Sequence, residues 1–141
     1  MLSVPEYGWT DFSIGDAKYS LSYLFTSLTD WLKEAVHGLK NNKPFMFYGW
    51  CEPEYIFCSV TRNFCYIICV DEGRILETHA VKMTMLDFCK ALHADISKDV
   101  DAWADWLRYD NENFREEQKL KIQSLLDELD ALIKERSKHG N

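Results

Sequence analysis

A chain of 141 residues, 47% hydrophobic and 14% aromatic, has the length and apolar content for one domain with its own core over residues 1–141, which argues against disorder. Its formal net charge of −7 argues against nucleic acid and against anionic membrane as partners, since both are held by clustered Lys and Arg, and favours a basic partner. Five cysteines, an odd number without the spacing of a disulfide scaffold, fit reduced thiols.

The start of the chain, MLSVPEYGWTDF, lacks the basic residues and apolar stretch of a signal peptide. The longest apolar run, FCYIICV at 64–70, is too short to span a bilayer, so a cytoplasmic protein is expected. Residues 1–19 read as irregular, with one strand near DFSI. Leu21, Leu24, Phe25, Leu28, Leu32, Ala35, Val36 and Leu39 then recur at spacings of three and four, which predicts a helix with Ser20 as its N-cap. HGLKNNKP supplies a stop signal: Gly, basic residues, then Pro.

From Pro44 the period falls to two. FMFYGW (45–50), EYIFCSVT (54–61), FCYIICV (64–70) and RILETHAVK (74–82) read as strands rich in aromatic and β-branched residues. Short links imply an antiparallel meander: Arg62-Asn63 as a two-residue loop in which Asn tolerates positive φ, and DEGR as a tight turn with Gly73 left-handed. That first loop pairs Thr61 with Phe64, Val60 with Cys65 and Cys58 with Ile67. One face then carries Ile56, Cys58, Val60, Cys65, Ile67 and Cys69, and the other Tyr55, Phe57, Phe64, Tyr66, Ile68 and Val70. Both faces are apolar, so both are expected to be covered by helices.

Thr84 and Asp87 suggest a capping box before an apolar stripe of Met85, Phe88, Cys89, Leu92 and Ile96, with SKD at 97–99 as a break. In VDAWADWLRYDNE the helical wheel puts Val100, Trp103, Trp106 and Leu107 on a core-facing side. Asp101, Asp105 and Arg108 fall opposite, with Glu112 in line, and Asp99 reads as a cap. A long terminal helix follows, lined by Ile122, Leu125, Leu126, Leu129, Leu132 and Ile133. The fold class is α+β: an N-terminal helix, a four-stranded antiparallel β-meander, and C-terminal helices including one long terminal helix.

No Gly-rich phosphate loop, G-x-S-x-G elbow or H-E-x-x-H zinc helix is present in the sequence, and neither a catalytic residue nor a cofactor is expected. Three weaker constellations remain. Cys89 and His93, four apart on a helix, could form an activated thiol, although a buried Cys beside a helix-edge His is the plainer reading. Glu77 and His79 share a strand face, as do many solvated edge-strand pairs. Cys58, Cys65 and Cys69 share a sheet face, but diagonal neighbours lie about 7–8 Å apart, so core packing outweighs zinc.

The charge itself is unevenly spread. Residues 99–117 hold seven acids against two bases, which places −5 of the −7 in that segment. The candidate partner-binding carboxylates are Asp101, Asp105, Asp110, Glu112 and Glu116 there, and Glu52, Glu54, Asp71 and Glu72 in two turns expected at one end of the meander. A solvated helix face accounts for the first group equally well.

The YSLSYLFTSLTDWLKEAVHGL helix, the FMFYGWCEPEYIF strand pair with its EPE turn, and the acidic helical C-terminal half together resemble the layout of bacterial toxin-immunity proteins, of the polymorphic-toxin and contact-dependent growth-inhibition type. The resemblance implies a noncatalytic cytoplasmic inhibitor that binds a cognate toxin domain, a basic nuclease in many such systems; it assigns no individual residue. The sequence leaves two other readings open: a small enzyme using the Cys/His or Glu/His pair, and an adaptor joined through the terminal helix. A monomer or weak homodimer is expected.

Overall fold

The computed structural model describes residues 1–23, 27–106 and 112–139, with the backbone alone at 112 and 113. It is α+β: a β-hairpin of β1 (Trp9–Ile14) and β2 (Ala17–Ser22), helix α1 (Leu28–Asn41), a meander of β3 (Phe45–Trp50), β4 (Tyr55–Val60), β5 (Phe64–Asp71) and β6 (Arg74–Lys82), then α2 (Met85–Ser97), α3 (Val100–Trp106) and α4 (Glu112–Lys138). The four-stranded sheet has the order β3-β4-β5-β6, every neighbouring pair antiparallel. No helix among the described residues is long and apolar enough to cross a membrane.

The N-terminal region departs from the sequence expectation. The strand expected near DFSI is there as β1, but residues 17–22 form a second strand where irregular chain and then the start of a helix are expected, and Ser20 pairs with Asp11 instead of capping. Leu21 fits helical spacing, but its backbone pairs with Thr10 across the hairpin and its side chain is buried over Gly49 of β3. Ser27 is the N-cap of α1: its hydroxyl accepts from the Asp30 amide at 3.3 Å, and Asp30 complements the helix dipole. Leu24 and Phe25 lie outside the described residues.

The end of α1 also reassigns a glycine. Asn42, at φ 53° and ψ 48°, takes the left-handed position that closes the helix. Gly38 stays inside α1, where a Cβ would collide with the ring of Phe45 and meet the Lys43 carbonyl at 3.0 Å. Its missing side chain brings β3 against the helix.

The meander follows the expected register: Val60 opposes Cys65 and Cys58 opposes Ile67, and the Thr61 amide donates to the Phe64 carbonyl at 2.8 Å. Asn63 is not among the positive-φ residues. The Thr61 hydroxyl holds this turn instead, donating to the Phe64 carbonyl at 2.9 Å and accepting from the Phe64 amide at 3.2 Å. The next turn has Glu72 at φ 49° and Gly73 at φ 75°, both left-handed, the geometry that matches the twist of a hairpin.

Among the described residues, only one face of the sheet is covered. Ile56, Cys58, Val60, Cys65, Ile67 and Cys69 are buried beneath the helices and hairpin, with Phe47 against both Trp31 of α1 and Phe88 of α2. The opposite face is open: Met46 is 54% exposed, Tyr48 43%, Phe57 38%, Phe64 39% and Tyr66 43%. The expectation of cover on both faces is thus corrected, because the helices before and after the meander return to the same side.

The helical half matches its pattern. Thr84 caps α2 by accepting from the Asp87 amide at 3.0 Å, and Asp99 caps α3 by accepting from the Ala102 amide at 3.0 Å. Trp103 and Trp106 are buried, their rings edge to face at 5.4 Å. Leu107 and Arg108 lie outside the described residues. Ile122, Leu126 and Leu129 of α4 are buried, with Leu125, Leu132 and Ile133 packed against the same core, so the apolar seam of α4 is spent within the chain.

Candidate functional site: two acidic groups

The α3–α4 carboxylates are held from within. Arg115 on α4 donates through Nε to Asp105, through Nη2 to Asp101 at 3.3 Å and through Nη1 to Glu116 at 3.0 Å. Lys119, one turn further, reaches Asp101 at 2.8 Å. The hydrogen bond from Lys119 is the largest influence on the Asp101 carboxyl and, with its charge, holds it below the usual carboxylate range. All three carboxylates remain more than half exposed, so the cluster is a solvent-facing clamp between the two helices. Asp110 lies outside the described residues, as does the side chain of Glu112.

The second group has a different character. Glu52 and Glu54 sit in the β3–β4 turn, and Asp71 and Glu72 at the β5–β6 turn. Antiparallel order puts both turns at one end of the sheet. Glu54 accepts from the Cys69 thiol at 3.3 Å. Glu52, Asp71 and Glu72 have no ion pair among the described residues, and Glu52 and Glu72 are exposed to solvent. The opposite end is basic: Lys43 just before β3, Arg62 in the β4–β5 turn and Lys82 closing β6.

The cysteine–histidine pair does not present a nucleophile. Cys89 is fully buried in the core between α2 and the sheet, and burial pushes its thiol up to about 12. His93 is half-buried on the next turn. Cys58, Cys65 and Cys69 do share the covered face, where burial raises each thiol, Cys65 to about 11. Among the described residues no three His, Cys, Asp or Glu side chains are placed to hold a metal ion.

Glu77 and His79 are neighbours at 3.4 Å, and a third residue joins them. The Tyr19 hydroxyl, from β2, donates to Glu77 at 2.7 Å. That bond, then the one from His79, lowers the Glu77 carboxyl, while burial and Glu77 together raise the Tyr19 phenol. The group ties the hairpin to the edge strand β6 on open surface. Sequence reading missed Tyr19 because the contact spans 58 positions and depends on β2 being a strand.

A cleft of about 200 Å³ lies where the end of α1 meets the start of α2, lined by Leu39, Asn42, Arg62, Thr84, Leu86 and Arg136. Arg136 is committed there, since its Nη2 donates to the Leu39 carbonyl at 2.8 Å and the Lys40 carbonyl at 3.2 Å. No family model matches the chain, and no curated protein or solved structure matches it.

Proposed function

We propose that the protein is a noncatalytic inhibitor of the toxin-immunity type, which binds a basic toxin domain through an acidic surface in the cytoplasm. The observation that carries this reading is the end of the sheet at Glu52, Glu54, Asp71 and Glu72, where four carboxylates gather against one base, Arg74. Such a one-signed patch steers a basic partner and raises its association rate. Asp101, Asp105 and Glu116 extend the same negative field, but Arg115 and Lys119 already offset part of it. They serve first to fix α3 on α4, and Asp110 and Glu112 complete that outer acidic row in the sequence.

The test is co-purification of the tagged protein with the product of the adjacent gene, followed by charge reversal in two sets. Reversal of Glu52, Glu54, Asp71 and Glu72 to Lys is expected to weaken the complex at least tenfold and flatten its salt dependence. Reversal of Asp101 and Asp105 is expected to act mainly on stability. A complex whose affinity and salt dependence ignore both sets would sink the acidic-docking reading.

A further inference from the structure

The open face of the sheet is a second, separate feature. Its middle is apolar: Tyr48 opposes Phe57, Phe57 opposes Ile68, and Phe64 stacks on Tyr66 with ring centroids 6.0 Å apart. Met46 extends this area on β3. A contiguous exposed area of such rings is the composition of a protein interface core rather than of ordinary surface. Charge brackets it at both ends. The acidic turns lie beyond one end of the strands, and Lys43, Arg62 and Lys82 beyond the other. Strands of six residues separate the two poles by about 20 Å, more than the roughly 8 Å screening length at physiological salt, so each pole acts on its own surroundings.

A surface negative at one end, apolar in the middle and positive at the other is complementary to itself turned end for end. We infer that this face is covered by a second copy of the chain, packed sheet on sheet about a two-fold axis, with the acidic turns of each copy over Lys43, Arg62 and Lys82 of the other. Face-to-face sheets pack about 10 Å apart, a gap that aromatic side chains fill and that Lys and Arg side chains bridge at the rim. Nucleic acid fits the aromatic rings but not the acidic pole. The inference does not depend on the toxin-inhibitor reading. It adds one link to it: the dimer and a basic partner draw on the same sheet-end carboxylates, so each displaces the other.

Two charge variants test the arrangement. In the first, Glu52, Glu54 and Glu72 become Lys; in the second, Lys43, Arg62 and Lys82 become Glu. Five of the six positions are exposed and Glu54, which accepts from the Cys69 thiol, is half-buried, so circular dichroism melting checks that each variant is folded. Sedimentation velocity over a micromolar concentration series at low salt should show the wild-type protein dimerising, with the dimer weakened at least tenfold by high salt. Each variant alone should be monomeric, because its two ends then carry one sign. The equimolar mixture should recover the dimer, since every opposed pair of ends again differs in sign. Phe57→Ser, at the centre of the face, should abolish dimers in all combinations. A wild-type monomer at the highest concentration, a mixture that stays monomeric, or a dimer that survives Phe57→Ser would each overturn the inference, the first two leaving the face to a different occupant.

Discussion

Lys119 on α4 meets Asp101 on α3 at 2.8 Å, and this ion pair converts what the sequence presents as a free acidic row into a strut between two helices. The same Asp101 also receives Arg115 at 3.3 Å. A carboxyl whose folded pKa is depressed adds stability above its unfolded value of about 3.9, and that stability is lost as pH falls through the folded value. Asp101 should therefore titrate below ordinary Asp residues in a carbon-detected NMR pH series. Lys119→Met should move its midpoint upward. An Asp101 midpoint that does not respond to loss of Lys119 would remove the strut.

Trp31 and Trp103 offer a matched comparison. Both are fully buried, but the Trp31 indole N–H donates to the Tyr48 carbonyl at 2.9 Å, whereas the Trp103 indole nitrogen has no hydrogen-bond partner among the described residues. Replacement by Phe removes similar volume at each site. Only at Trp31 does it also break a hydrogen bond, so Trp31→Phe should cost about 1–2 kcal/mol more than Trp103→Phe. Urea midpoints of the two variants, at unchanged m-value, measure the difference; equal costs would mean the Trp31 bond contributes nothing.

Gly38→Ala should reverse a general rule. In an exposed helix interior the change stabilises by up to about 1 kcal/mol. Here the added methyl would strike Phe45, and moving that ring disturbs its contact with Phe88 at 5.9 Å. A net loss of about 1–3 kcal/mol is expected from overpacking. A higher melting temperature for Gly38→Ala would show that β3 yields easily.

Thiol chemistry provides a fourth check. Cys58, Cys65 and Cys89 are fully buried, while Cys51 is half-exposed. A thiol reagent at neutral pH should modify Cys51 first and the four buried thiols, Cys69 included, only on unfolding, as read by intact mass and peptide mapping. Burial pushes the Cys89 thiol to about 12, so its rate should rise with denaturant far more than with pH up to 9. Rapid labelling of Cys89 in the folded protein would reopen the nucleophile reading.

The sheet was readable from the sequence because its turns are short: Thr61 to Phe64 fixes the β4–β5 register and Asp71 to Arg74 joins β5 to β6, whose register shifts once, between Cys69 and Val70. Helices α2 and α3 were readable because Thr84 and Asp99 cap them locally. Of the β1–β2 hairpin only the strand near DFSI was; β2 was not, since Leu21 satisfies helical spacing as well as a strand, and pairing with Thr10 decides between them. Apolar residues on both faces of the sheet do not say which face the helices will choose. Nor could the role of Arg115 be read, because its reach to Asp101 and Asp105 depends on how α4 folds back beside α3.

Arg136 ends the chain of dependencies. Its Nη2 closes the carbonyl end of α1 at Leu39, 97 positions earlier. During synthesis at about 5–20 residues per second, α1 and the meander are complete seconds before that guanidinium leaves the ribosome. Until α4 arrives, the surface of α1 that it will cover is bare. The contacts between α1 and α4 can therefore form only after those between α1 and the meander have become possible, which makes the terminal helix the fastener of the fold.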